Sequence, residues 1–159
     1  MINRKLMKFV NESVVFQEIP DEVTLAINIS NCPCRCPGCH SKFLWGDNGE
    51  ELTHHALDAM ILKYQGAITC IAFMGGDSSI ADLNGLARYI KNIHPDLKVA
   101  WYSGRTVLAQ NLIVQLFDYI KIGPYIEHLG PLNQRTTNQR LYKIDGNQNF
   151  IDITSRFWK

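Results

Sequence analysis

The sequence predicts an α/β fold: a mostly parallel sheet of about five or six strands, curled into an open partial barrel. Three observations predict it. Apolar runs of strand length alternate with segments of helical periodicity. The runs end in glycine-bearing turns at Gly75-Gly76, Gly104 and Gly123. The 159 residues make one domain, residues 1–159, which is too short for a complete eightfold β/α barrel. Right-handed crossovers would curl such a sheet one way.

Taken in order, residues 1–21 carry short apolar pieces, including Val14-Val-Phe16, and suit a lead-in strand. Val23 to Ile29 is rich in β-branched residues and reads as the first core strand. From Glu51 to Gln65 the pattern is helical, because Leu57, Met60, Ile61 and Tyr64 fall on one stripe and Gly66 comes next as a stop. His54 and His55 at its start point about 100° apart on a helix, so solvated or capping roles suit them better than a shared metal. Ala67 to Met74 is a continuous apolar strand holding Cys70 as a small core residue. A helix with Leu83, Leu86, Ala87 and Ile90 on its inner face comes after it. Then come a strand over Leu97–Tyr102, a helix from about Thr106 to Leu116, and a strand over Phe117–Ile122. Residues 127–140 are polar, and Leu141–Ile144 with Phe150–Ile153 suits a hairpin around Asp145-Gly146.

Composition narrows the function. The net charge of +1 gives no field pointing to nucleic acid or a charged membrane surface. No apolar run is long enough to span a bilayer. The opening Met1-Ile-Asn-Arg-Lys-Leu-Met-Lys is basic but lacks a leader's apolar stretch and cleavage site. Five clustered cysteines suit a reducing compartment and a metal rather than a secreted disulfide scaffold, and the expectation is a cytoplasmic protein.

Four of those cysteines fall in Cys32-Pro-Cys-Arg-Cys36-Pro-Gly-Cys39, directly after the first core strand. Ligands in parallel α/β sheets gather at that carboxyl edge. Thiolates so closely spaced can converge on one soft metal centre in a loop. Cys32, Cys36 and Cys39 read C-x3-C-x2-C. Three thiolates on a cubane leave one iron open to a small-molecule chelator. Cys34 counted with its neighbours permits a four-thiolate site, which is the argument for zinc, although so tight a spacing suits one tetrahedral ion poorly.

C-x3-C-x2-C is the signature of the radical S-adenosylmethionine (SAM) enzymes. The run Glu18 to Cys32, continuing Cys36-Pro-Gly-Cys-His-Ser-Lys-Phe-Leu-Trp45, resembles the activating proteins of anaerobic (class III) ribonucleoside-triphosphate reductase. The resemblance implies the partial barrel of the radical SAM type and a 4Fe-4S cluster on Cys32, Cys36 and Cys39. It also implies reductive cleavage of S-adenosyl-L-methionine, with the 5′-deoxyadenosyl radical generating a glycyl radical on the reductase. A one-electron donor such as a flavodoxin or ferredoxin is implied as a second partner, with no nucleic acid and no membrane.

Other site residues are implied by the same resemblance. Gly75-Gly76-Asp77 resembles the family's Gly-Gly-Glu segment, which contacts SAM's amine. Tyr102-Ser103-Gly104 matches a Tyr-Thr-Gly-like segment suited to SAM's carboxylate or ribose. Gly38 stands where many members carry an aromatic residue against adenine, which leaves His40 and the nearby backbone as candidates. Asn138-Gln139-Arg140 matches a polar stretch near the C-terminus, and Phe43 and Trp45 are expected to brace the loop. The competing readings are an activase of pyruvate formate-lyase type, a non-catalytic zinc-binding module, and an electron carrier.

Overall fold

The computed structural model describes residues 6–158; residues 1–5, the basic opening read against a leader, lie outside the described residues. Lys8–Val15 (β1), Thr24–Ile29 (β2) and the short Glu50–Glu51 (β3) precede the first helix, His54–Lys63 (α1). Cys70–Met74 (β4), Ile80–Ile93 (α2), Lys98–Tyr102 (β5) and Tyr119–Ile122 (β6) come next. Arg140–Ile144 (β7) and Phe150–Asp152 (β8) form the closing hairpin. All eight described strands form one sheet in the order β3-β1-β2-β4-β5-β6-β7-β8.

This corrects the expected fold class. The sheet is mixed: β2-β4-β5-β6 pair in parallel, but the other four of the seven pairings are antiparallel. It has eight strands, not five or six, two α-helices among the described residues, and open edges at β3 and β8. It is therefore not the mostly parallel partial barrel of the radical SAM type. The physical reason lies in the connections. A parallel link needs a crossover of a dozen or more residues, usually a helix. Three links here are such crossovers, β2–β4 through α1, β4–β5 through α2 and β5–β6 through the turns of residues 103–118, whereas β1 and β7–β8 fold back on their neighbours.

The helix expected over Thr106–Leu116 is also absent. That segment runs as turns, with one 3-10 turn at Val114–Leu116. Val107, Ile113 and Val114 are β-branched and lose side-chain freedom in a helix. Asn84 supplies what the helix would have: its Nδ2 donates to the Asn111 carbonyl (2.8 Å), and its Oδ1 accepts from the Ile113 amide (3.0 Å).

Both helices cover one face of the sheet. Leu25, Ile71 and Val99 lie in register across β2, β4 and β5, and Ile27, Phe73, Trp101 and Ile120 in register across to β6. All are buried in a cluster with Leu57, Met60 and Ile61 of α1 and Leu83, Leu86 and Ile90 of α2. Thr53 starts α1 by accepting the Ala56 amide (3.0 Å), and His54 stacks on Tyr89 instead of facing a metal. The opposite face carries small residues, with Ala26, Ala72, Ala100 and Tyr119 in one row. Cys70 is fully buried there beside Ile19 and Leu141, as expected of a small core residue.

The amino-terminal end of this second face is tied by Glu22, only 7% exposed. Its carboxylate accepts from Lys98 Nζ (2.8 Å), Tyr119 Oη (2.9 Å) and Thr69 Oγ1 (2.5 Å). Burial alone would raise its pKa; the donors outweigh burial and hold it below the usual carboxylate value. A depressed folded pKa contributes stability above the unfolded value and loses it as pH falls through the folded one. Glu22→Gln is therefore expected to lose about 1.5–3 kcal/mol near neutral pH. In urea unfolding the gap to wild type should narrow as pH falls below the ordinary glutamate value and through the lower folded one. A gap unchanged in acid would exclude the carboxylate's charge as its source.

Candidate functional site

After β2 the chain enters the cysteine loop through two residues that few side chains tolerate in their backbone conformation. Asn31 has φ of 60° and Arg35 has φ of 44°, both left-handed. The loop is held to the 3-10 turn Lys42–Leu44 and to the residues just beyond that turn: the Cys32 amide donates to the Leu44 carbonyl (2.9 Å) and the Asn31 amide to Gly46 (3.0 Å). Asn31 Nδ2 donates to Asp47 (2.9 Å). Inside the loop the Cys39 amide donates to the Cys36 carbonyl (3.0 Å), and the Ser41 amide to Cys39 Sγ (3.3 Å). The guanidinium of Arg35 and the ammonium of Lys42 lie 5.7 and 5.8 Å from the Trp45 ring centroid. Trp45 thus braces the loop, whereas Phe43 stands 48% exposed.

Parallel register delivers a row of side chains to the same place. Asn28, Met74, Tyr102 and Lys121 pair successively across β2, β4, β5 and β6, on the face away from the helices. With the loop they enclose a cavity of about 190 Å³ lined by Cys32, Cys34, Cys36 and Cys39. Gly75 and Asp77 reach it from the end of β4, Ser103 and Gly104 from the end of β5, and Trp45 and Gln139 complete the wall. A larger cavity of about 720 Å³ lies between the carboxyl ends of α1 and α2, but no cysteine lines it. Chemistry rather than volume singles out the smaller one.

Three expected site residues stand outside this lining. Gly38 packs toward Glu127, and Gly76 toward Met7 and Leu83. His40 is exposed, its ring edge-on to Tyr125 at 5.6 Å. Of Asn138-Gln139-Arg140 only Gln139 lines the cavity. Asn138 Nδ2 donates to the Pro124 carbonyl (3.1 Å), and Arg140 Nη1 donates to the carbonyls of Gln139 (3.0 Å) and Thr137 (3.3 Å).

The cavity is charged on both sides. Asp77 is 6% exposed and accepts from the Ser103 hydroxyl and the Gly104 amide (3.1 Å), with Cys34 Sγ 4.0 Å away. Burial, then the Asp77 carboxylate, push the Cys34 thiol up to about 12. Lys121, 7% exposed, donates to the Gly123 carbonyl (3.0 Å), and its Nζ lies 5.5 Å from the Tyr102 ring centroid. Burial lowers it to about 8, opposed by Asp77 and the cysteines. The Tyr102 hydroxyl donates to the Glu18 carbonyl, and burial raises its pKa. Sequence reasoning missed Lys121; its signal was a lone charge at an inward alternate position of the apolar run Tyr119-Ile-Lys-Ile.

Gly104 needs to be glycine for space. A Cβ there would sit 2.8 Å from Cys34 Sγ and 3.2 Å from Cys34 Cβ. Gly104→Ala is therefore expected to push the cysteine loop outward and lower iron incorporation on anaerobic reconstitution. Adding Cys34→Ala should restore loading by removing the obstruction. A single variant that loads iron like wild type would show that the loop does not depend on this approach.

A family model described as a 4Fe-4S single cluster domain matches residues 22–149, most of the chain. No curated protein and no solved structure matches it.

Proposed function

The chain belongs to the 4Fe-4S single cluster domain family and is an iron–sulfur protein, and on that premise we propose that it is a radical SAM activase of a glycyl-radical enzyme. The observation that carries the reading is the cysteine-lined cavity at the carboxyl edge of the parallel strands, with a buried cation in its wall.

The residues present fit a cluster. Cys32, Cys34, Cys36 and Cys39 all line one cavity, as a cofactor with several irons needs. The Ser41 amide donates to Cys39 Sγ, a bond that cluster thiolates readily accept, and the buried Trp45 Nε1 has no partner in the same wall. An indole N–H there suits a sulfur acceptor.

Cys32, Cys36 and Cys39 would hold three irons, and the C-x3-C-x2-C count leaves the fourth for SAM. When bound, the cluster supplies one electron to the carbon–sulfur bond of SAM's sulfonium. The protein's own residues bind, orient and exclude water. Lys121 is the cation suited to the methionine carboxylate, and its burial would strengthen that attraction. Gly75, with φ of 110°, lets the backbone of the β4 exit close on the ligand where a side chain would be strained. The Tyr102 hydroxyl is already engaged by the Glu18 carbonyl, which leaves its ring for contact with the ligand.

The substrate is proposed as a glycine of anaerobic ribonucleoside-triphosphate reductase, on the resemblance carried by Glu18–Trp45. A primary alkyl radical is more reactive than a glycyl radical, so hydrogen transfer from the glycine Cα is downhill. Glycine also has no side chain to block approach. A flavodoxin or ferredoxin is the proposed electron donor. No helix among the described residues is long and apolar enough to cross a membrane.

Cys32→Ala, Cys36→Ala and Cys39→Ala are each expected to lose the cluster, measured as iron and sulfide after anaerobic reconstitution, while Cys34→Ala and Cys70→Ala keep it. Loss of iron in Cys34→Ala with retention in Cys32→Ala would overturn the register. The function itself is tested by electron paramagnetic resonance of reduced protein mixed with SAM and the reductase. A glycyl doublet that vanishes with a Gly→Ala reductase is expected. SAM turnover without a protein radical would point to another substrate.

A further inference from the structure

We propose that Asp77 is a positioning residue, the centre of a clamp joining the cysteine loop to the exits of β4 and β5, and that Cys34 is the clamp's thiol end rather than an iron ligand. The inference rests on the proposed SAM site for its functional output.

The Asp77 carboxylate already has donors from two other segments. Oδ1 accepts from the Ser103 hydroxyl, and Oδ2 accepts from the Gly104 amide at 3.1 Å. Cys34 Sγ lies 4.0 Å from the same Oδ2. Ser103 is locked in turn, because its Oγ accepts the Arg105 amide (3.1 Å) and it is 1% exposed. A carboxylate has about four acceptor positions and three of these face donors of the wall, which leaves at most one for an incoming ammonium. Leaving a buried partner of such a bond unsatisfied is costly. The absence of a side chain at Gly104 is the matching half of the device, since it makes the notch that seats Cys34.

The chain segments involved explain what the clamp does. Cys34 sits between Cys32 and Cys36, Asp77 comes directly after Gly75-Gly76, and Ser103-Gly104 end β5. One buried carboxylate therefore sets the spacing between the cysteine loop and both strand exits, which is the width of the cavity SAM would enter.

The test uses the anaerobically reconstituted holoprotein, with SAM binding followed by the change in the reduced cluster's paramagnetic resonance spectrum. Asp77→Asn, Ser103→Ala and Cys34→Ala should each keep wild-type iron and sulfide and weaken SAM about ten-fold. The Asp77→Asn/Ser103→Ala double variant should be no weaker than Asp77→Asn alone, as expected of one coupled unit. Cys34→Ser, which keeps a donor, should recover most of the affinity lost in Cys34→Ala. Wild-type affinity in Ser103→Ala and Cys34→Ala beside a weakened Asp77→Asn would overturn the clamp and make Asp77 a direct ligand. Iron loss in Cys34→Ala would overturn it by making Cys34 a ligand. A wild-type cluster spectrum indifferent to SAM would sink the SAM reading alone. The clamp then stands or falls on hydrogen exchange of the 32–39 amides, expected to quicken in Asp77→Asn and overturning the proposal if unchanged.

Discussion

Four strands lying side by side and running the same way are the constraint on which the site depends. β2, β4, β5 and β6 are only four to six residues long, so their carboxyl ends lie close together and in register. The four loops leaving those ends have nowhere to go but one edge. The alternation of a strand then sorts the side chains without further instruction. Large apolar residues meet α1 and α2 on one face, while Asn28, Met74, Tyr102 and Lys121 arrive on the other. The antiparallel additions at β1, β3, β7 and β8 widen the sheet and do not disturb this central row.

The second dependence is electrostatic. Asp77 and Lys121 are both nearly buried, and both belong to the same cavity. Buried charges rarely add to stability, because desolvation offsets much of their attraction. The left-handed Arg35 adds backbone strain to the same loop. A wall that concentrates buried charge and strain around four thiols is shaped for a ligand rather than for folding alone. The amino-terminal end of the sheet carries the opposite arrangement. There Glu22 is fully met by Lys98, Tyr119 and Thr69, and the buried charge serves cohesion.

Much of the cavity's lining was legible because its signal is local. The spacing of Cys32, Cys36 and Cys39, and glycines directly after apolar runs, can be read without knowing the fold. The positions of β2, β4, β5 and the closing hairpin were legible for the same reason. What sequence reasoning missed is non-local. Strand direction at β1 and β7 depends on which neighbour each strand finds, and that turned an expected parallel barrel into an open mixed sheet. The Thr106–Leu116 helix failed because Asn84, on another element, bonds the backbone that a helix would have satisfied internally. Lys121 went unread because its significance comes from burial, and Asp77 looked like a free acid because Ser103 and Gly104 are distant in sequence.

The central claim is that three cysteines hold a four-iron cluster whose remaining iron is open to SAM. Mössbauer spectroscopy of protein reconstituted with iron-57 tests it most directly. One iron in four should be distinct from the other three, with that iron alone shifting on addition of SAM. Four equivalent irons unmoved by SAM would contradict it, and would point to a fully thiolate-ligated cluster that includes Cys34.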